Sequence, residues 1–430
     1  MDEEQMVISR RSLIGPGLLA SGLAGAKTAF AQSLKKLPGH EKEDGAYWQK
    51  VRKQFLFEPG FSYMNTGTVG ATPGPVYHAL VRYWRLMAEN PNENSAVLQG
   101  RMEAIREKAA QFIGATAAEV AITRNATEGN NLLAKGVDLK AGDEVLIGYL
   151  EHDSNRQPWL LRAKRDGIKV TEVPVGTPPK NPEEILNAFN DAITPRTRIL
   201  TIAQCDTVTG TFAPIRELGK LAHDKGLLFF VDGAQAIGQV PVNLRELGVD
   251  AWITTSHKWL ASPAGTGLMY IRRDLQDRIW PNIVTENWWS FTDARRYDRL
   301  SRRPWPVLAA LEDSLDFQLA IGKPRIESRI RALGSYLRAQ AADIPRVRLY
   351  TSNDPRLSGA LTSLSIDGVP PLRLREYLRQ KFDMYVADRA KGVKYPADPH
   401  GVDGIRISTH YYNSFEQVEK VLQALRDMAA

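Results

Sequence analysis

Four short polar motifs in this sequence each follow an apolar run and carry residues able to do chemistry. The first is Thr254-Thr255-Ser256-His257-Lys258-Trp259, ahead of Gly265-Thr266-Gly267. A lysine amine at a strand end can form a Schiff base with an aldehyde cofactor. Taken alone, such a lysine is ordinarily a solvated surface residue. The second, Val231-Asp232-Gly233-Ala234-Gln235, follows the apolar run Leu227 to Val231. An acid there can pair with a protonated ring nitrogen and keep the ring electron-withdrawing, or it can simply cap a turn. Asp232 precedes Lys258 by one strand–helix–strand unit, so both can reach one crevice. The third, Asn125-Ala126-Thr127-Glu128-Gly129-Asn130-Asn131, opens a helix. Backbone N–H groups at a helix amino end favour a phosphate, and a threonine hydroxyl adds a donor; plain capping is the alternative. The fourth is Glu151-His152-Asp153-Ser154-Asn155. Its imidazole can stack on an aromatic cofactor, although a lone histidine is more often structural.

The elements that must position these motifs alternate. Apolar runs at Glu119 to Thr123, Glu144 to Tyr149, Lys169 to Val175, Arg198 to Ala203, Leu227 to Val231, Ala251 to Thr255 and Gly267 to Arg272 read as strands. The continuous ones are expected to be covered on both faces. Helices are expected at Arg106 to Gly114, at Asn155 to Arg165, and after Asn181-Pro182-Glu183-Glu184, which joins a cap, a first-turn proline and two acids. Such alternation implies an α/β fold with a mostly parallel sheet. In such sheets, ligands sit at the carboxyl ends of the strands. From about residue 300 the pattern changes to long helices, Pro306 to Ile321 and Pro324 to Ala342, then short strands and a last helix, which read as a smaller α+β domain.

The bulk composition excludes several classes. With 430 residues, 43% of them hydrophobic and 24% charged, the chain can build a large core, which excludes general disorder. The net charge of +7 is modest for this length, and no basic block interleaved with aromatics points to nucleic acid. One cysteine, Cys205, can form neither an intrachain disulfide nor a multi-cysteine zinc site, and no metal is expected. Cys205 reads as a small buried hydrophobe. At the amino end, Arg10-Arg11 precedes an apolar run from Leu13 to Ala26 that ends at Ala29-Phe30-Ala31. That run is shorter than the roughly 20 residues a membrane span needs. It resembles a twin-arginine signal peptide, which implies a periplasmic protein exported by the twin-arginine machinery. The expected organisation is a signal at 1–31, an extension at 32–60, a large domain at 61–300 and a small domain at 301–430.

In this order and spacing the four motifs resemble class V aminotransferase-fold enzymes: cysteine desulfurases, selenocysteine lyases and isopenicillin N epimerases. The resemblance runs from about Tyr63 to the carboxyl end. It implies pyridoxal phosphate fold type I, pyridoxal 5′-phosphate as cofactor and a homodimer. By that likeness Lys258 binds the cofactor covalently and moves the Cα proton, Asp232 pairs with the pyridine nitrogen, Gln235 bonds the ring hydroxyl and His152 stacks on the ring. Ala126 through its backbone, Thr127, Thr255 and His257 would bind the phosphate. Arg406, with Asn65, would bind the substrate carboxylate. Ser301 would stand in for a threonine that relatives lend to the partner subunit's phosphate, although the glycine that precedes such a threonine is absent here. The desulfurases carry a nucleophilic cysteine in the loop matching Ala387 to Lys394, which has none, so desulfurase chemistry is disfavoured. The expected function is an isopenicillin N epimerase-like reaction at Cα of an amino acid or of an amino-acid residue in a peptide. Alternatives are an aminotransferase or deaminase that tailors a secreted peptide or siderophore, a β-lyase, or an exported binding protein without catalysis. The stretch Asn287-Trp288-Trp289-Ser290-Phe291 is expected at the site entrance, at a dimer contact or in a buried aromatic cluster.

Overall fold

The computed structural model describes residues 45–285, 288–389 and 402–430. The expected signal segment, Asn287 and residues 390–394 of the loop discussed above lie outside the described residues. The chain enters through α1 (Gly45–Arg52), β1 (Ser62–Tyr63), α2 (Gly74–Glu89), α3 (Glu93–Gly100) and α4 (Met102–Phe112). It then alternates: β2 (Val120–Thr123), α5 (Ala126–Gly136), β3 (Glu144–Gly148), α6 (Asp153–Asp166), β4 (Lys169–Val173), α7 (Pro182–Ala192), β5 (Thr197–Ala203), α8 (Ile215–Asp224), β6 (Leu228–Asp232), α9 (Leu244–Leu247), β7 (Ala251–Thr255) and β8 (Gly267–Ile271). The remainder is α10 (Trp305–Ile321), α11 (Lys323–Ala342), β9 (Val347–Leu349), β10 (Leu361–Ile366), α12 (Pro371–Phe382), β11 (Met384–Tyr385), β12 (Ala387–Arg389), β13 (Gly404–Ser408) and α13 (Phe415–Ala429).

The strands β2 to β8 form one seven-stranded sheet in the order β2-β8-β7-β6-β5-β3-β4. Strands β4, β3, β5, β6 and β7 pair in parallel, as the alternation predicted. Strand β8 runs antiparallel to both of its neighbours, β7 and β2. The physical reason is the link: Ser256 to Thr266 holds no helix, and a parallel crossover needs a dozen or more residues. The continuous apolar strands β2, β3, β7 and β8 are buried along their whole length, and β5 is buried except at Arg198, while the more polar β4 lies at an edge. Strand order reverses between β3 and β5: from β3 the chain moves outward to β4, then returns to β5 on the other side. Loops leaving β3 and β5 therefore diverge and open a crevice at their carboxyl ends.

A second sheet, β12-β13-β10-β9, is antiparallel throughout and carries its own core, including Leu333, Leu337, Leu364, Ile407 and Leu422. Each such fully buried aliphatic side chain contributes roughly 1.5–3 kcal/mol. Helix α10 belongs by packing to the large sheet, since Leu308, Leu311 and Leu315 share its core. The first strand closes the fold. Ser62 and Tyr63 pair in parallel with Met384 and Tyr385, and Asn65 bridges to Ser408, so the amino-terminal segment lies against the small sheet. Among the described residues, no helix is long and apolar enough to cross a membrane.

Candidate active site

The carboxyl ends of β2, β3, β5, β6 and β7 surround a cavity of about 410 Å³, and β12 and β13 of the second sheet close its other side. Lys258 enters it from the reversal between β7 and β8. That reversal is gripped by backbone from two directions. The Gly70 N–H donates to His257 O at 2.6 Å, and a Cβ on Gly70 would lie 1.9 Å from Lys258 O. Gly238, at φ +78°, passes so close that a Cβ would meet the Trp259 backbone at 2.5 Å. Only glycine permits both approaches.

Asp232 ends β6, buried at 5% exposure, on the cavity wall. Its Oδ2 accepts the Asn130 amide at 2.9 Å and its Oδ1 the Ala234 N–H at 2.9 Å. At the start of α5, Asn125 caps the helix by accepting the Glu128 N–H at 3.0 Å. The N–H groups of Ala126 and Thr127 come before any intrahelical acceptor and point outward from the positive helix end. Thr127, Thr255 and His257 line the same cavity. The Thr255 hydroxyl lies 2.5 Å from His257 Nδ1. Burial, with the Lys258 charge beside it, pushes the His257 pKa down to about 4, so at neutral pH this ring offers a hydrogen bond and no charge. His152 caps α6, its Nδ1 accepting the Ser154 N–H at 3.0 Å, and its ring faces the cavity.

Arg406 lies mid-strand in β13, fully buried, and lines the cavity opposite the sheet. Nη1 donates to Thr207 O at 2.8 Å and to Thr207 Oγ1 at 2.7 Å, and Nη2 to Asn65 Oδ1 at 3.2 Å and to Thr68 Oγ1 at 2.7 Å. Asn65 thus supports the guanidinium. These partners are neutral, and a carboxylate makes stronger hydrogen bonds than they do, so an incoming carboxylate can exchange for the two hydroxyls.

The surroundings of three further groups add to the expectations. Gln235 lines the cavity, but its Nε2 donates to Gly67 O at 2.8 Å and Thr207 Oγ1 at 3.0 Å, and its Oε1 accepts the Trp259 indole at 2.7 Å. The indole is a donor only, which fixes the amide orientation. A bond from Gln235 to a ring hydroxyl therefore requires Thr207 to turn away. Cys205 is buried as expected, yet it lines this same cavity; burial and the neighbouring Asp206 push its thiol well up, which leaves it a protonated, weak nucleophile. The tryptophan stretch builds no buried cluster: Trp289 is 67% exposed, it meets Trp288 edge-on at 6.4 Å, and neither lines the cavity. Ser301 is exposed and outside the cavity of its own chain.

Sequence reasoning missed Asn130, Thr68, Thr207, Arg375 and Tyr385. Asn130 had a signal: it stands four residues after Ala126 on α5, hence on the same helix face. Thr207 had one too, as the polar residue just past β5. Arg375, ion-paired to Asp388 at the mouth, and Tyr385, stacked on Tyr63 at 6.1 Å, come from the small domain, where nothing in the local pattern marks them.

The chain belongs to the class-V aminotransferase family, whose model matches residues 63–421. It is 30% identical over 409 residues to an isopenicillin N epimerase of Amycolatopsis lactamdurans, covering 89% of this chain and 98% of that protein. It is 28% identical over 398 residues to a probable cysteine desulfurase of Methanothermobacter thermautotrophicus, covering 89% and 98%. The apo structure of a cysteine desulfurase from Thermococcus onnurineus superposes with a TM-score of 0.79 at 24% identity, over 88% of this chain and 97% of that one, a likeness of fold. The family's cofactor is pyridoxal 5′-phosphate, and the donor set here fits it: an amine on the floor, an acid for the ring nitrogen, an imidazole at the wall, and a helix amino end with hydroxyls for the phosphate.

Proposed function

We propose that this chain is a pyridoxal-phosphate enzyme acting at Cα of an amino acid, or of an amino-acid residue within a peptide, in the manner of an isopenicillin N epimerase. The observation that carries this reading is that one cavity gathers Lys258, Asp232, His152 and Arg406 from four separate parts of the chain. Pyridoxal phosphate supplies an electron-withdrawing ring that takes up the charge left at Cα. Arg406 orients the substrate carboxylate, and the amine of Lys258 takes the Cα proton and returns it. Asp232, fixed by Asn130 and Ala234, holds a proton at the ring nitrogen. Delivery of a proton to the opposite face of Cα would give an epimer, release of the substrate as a keto acid with its amino group left behind would give transamination, and loss of a β group would make a lyase.

Relatives named as epimerases and as desulfurases are about equally similar, so the choice rests on side chains. The chain's single cysteine is the shielded Cys205, which disfavours persulfide formation. Export through the amino-terminal twin-arginine segment and assembly as a homodimer, with Ser301 toward the partner's phosphate, complete the proposal. The test is the visible spectrum of the purified protein as amino acids and peptides are added. Fading of the cofactor band, restored by a keto acid, identifies an aminotransferase. A persistent band with exchange of the Cα hydrogen into solvent identifies epimerase or lyase chemistry, and the product separates those. Lys258→Ala is expected to abolish the covalent yellow chromophore; a variant that keeps it would reassign the lysine.

A further inference from the structure

One carboxyl group at the switch point has no part in the chemistry above. Glu151 follows β3, immediately before His152. Its Oε1 accepts the Ala203 N–H, at the end of β5, at 2.6 Å. Its Oε2 lies 2.7 Å from Asn155 Nδ2 in the first turn of α6, and Asn155 N–H in turn donates to His152 O at 2.9 Å. Glu151 thus spans the crevice where strand order reverses and clamps the loop whose next residue presents the imidazole.

We propose that Glu151 is a positioning residue, a neutral carboxylic acid that pins the His152 loop to the end of β5 and keeps a proton, rather than a charge, beside Asp232. Three carboxyl groups crowd this end of the sheet, and their donor sets differ. Asp206 accepts from Val208 N, Thr209 N, Thr209 Oγ1 and Thr211 N at 2.5–2.9 Å. Asp232 accepts from Asn130 and Ala234 and faces the cavity that holds Lys258. Glu151 receives one neutral donor on each oxygen. Its far side borders a small cavity of about 40 Å³ walled by Val173, Val175, Ile185, Phe189 and Ile202. The titratable groups around it are Asp206 and Asp232 from the strand ends, with His152 and Tyr149 on its own loop, and that small cavity holds no lysine, arginine or histidine. Asp206 has four donors, Asp232 and Glu151 two each, and of these two only Asp232 shares a cavity with a cation, Lys258, so Glu151 is the acid that keeps the proton. Burial, with Asp232 and Asp206 adding to it, accordingly raises this carboxyl to about 8. Asn155 suits either state: its N–H₂ faces a carboxylate, and the amide turned over offers its oxygen to an acid proton.

The inference rests on the pyridoxal-phosphate reading only for its optical arm. Infrared difference spectra of the holoenzyme, from about pH 6 to about pH 10, are expected to show loss of a protonated-carboxyl stretch, with that change absent in Glu151→Gln. A wild type without the band, or the same change in Glu151→Gln, overturns the proposal. In the optical arm, visible circular dichroism of the bound cofactor reads ring orientation. Glu151→Gln, which keeps a neutral group of the same shape, is expected to match the wild-type signal at neutral pH, and Glu151→Ala to lose it. Loss of the signal in Glu151→Gln as well as in Glu151→Ala shows that a charge is needed there and overturns the proposal; should Glu151→Ala not fold, Glu151→Gln and the infrared arm decide. A wild type with no visible band would sink the cofactor reading instead, leaving the infrared arm to judge Glu151.

Discussion

At the scale of single residues, the site is a set of side chains whose freedom has been removed before substrate arrives. Arg406 is the clearest instance, because four neutral acceptors hold its two Nη groups in one plane. Lysine keeps the charge but loses the planar fork. Arg406→Lys is therefore expected to raise KM for an amino-acid substrate about 10- to 100-fold, the worth of one or two hydrogen bonds to a charged group, with a smaller change in kcat. Steady-state kinetics checks this, and an unchanged KM would remove Arg406 from carboxylate binding. Lys258, Asp232 and His152 were legible in the sequence because each stands at or just past the end of a recognisable strand, whereas Arg406, mid-strand in β13, was marked only by the family resemblance. The hydrogen-bond partners were not: Gln235 gives its amide to Gly67, 168 positions away, and no local pattern encodes that distance.

At the scale of elements, the strands were legible to within a residue or two, since fully buried strands must be continuous apolar runs. The direction of β8 was not, because it depends on the length of the Lys258 reversal rather than on the strand's own residues. The edge strand β2 shows another long-range device. Its outward backbone groups, which would otherwise template pairing with another chain, are taken by side chains: Asp298 accepts the Ile122 N–H at 2.8 Å, Arg106 donates to Val120 O at 2.8 Å and Arg303 to Ile122 O at 2.6 Å. Arg106 and Asp298 also pair with each other at 2.7 Å, both almost wholly buried. Removing Asp298 leaves the buried Arg106 only the half-exposed Glu103, at 3.3 Å, so Asp298→Ala is expected to cost about 3–5 kcal/mol. Denaturant unfolding measures it, and a loss below about 1 kcal/mol would mean that the pair behaves as a surface bridge.

At the scale of the whole molecule, buried titrating groups tie stability to pH. Glu151 titrates at about 8 in the folded chain against 4.5 for an unperturbed carboxyl, so between those values the folded state binds the extra proton, and stability falls as pH rises from about 4.5 to about 8. His257 acts at the acid end. Its pKa of about 4 against 6.5 means that the unfolded state binds the extra proton in that window, so its contribution is lost as pH falls from 6.5 through 4. Urea midpoints across this range are expected to decline toward pH 8 in the wild type and to decline less in Glu151→Gln. Parallel curves for the two proteins would contradict the assignment.

The closing of the fold by its own amino-terminal segment has a consequence for biosynthesis. Asn65 and Arg406 touch across 341 positions, and β1 has no strand to pair with until β11 exists. Translation proceeds at about 5–20 residues per second, so the segment from Ser62 to Gly70 leaves the ribosome tens of seconds before its partners. Throughout that interval Met64, fully buried in the finished protein, has only chaperones or water to meet. The substrate-facing half of the cavity therefore comes into being last, after the sheet that carries Lys258 and Asp232. Cofactor capture by the complete cavity is then a post-translational event.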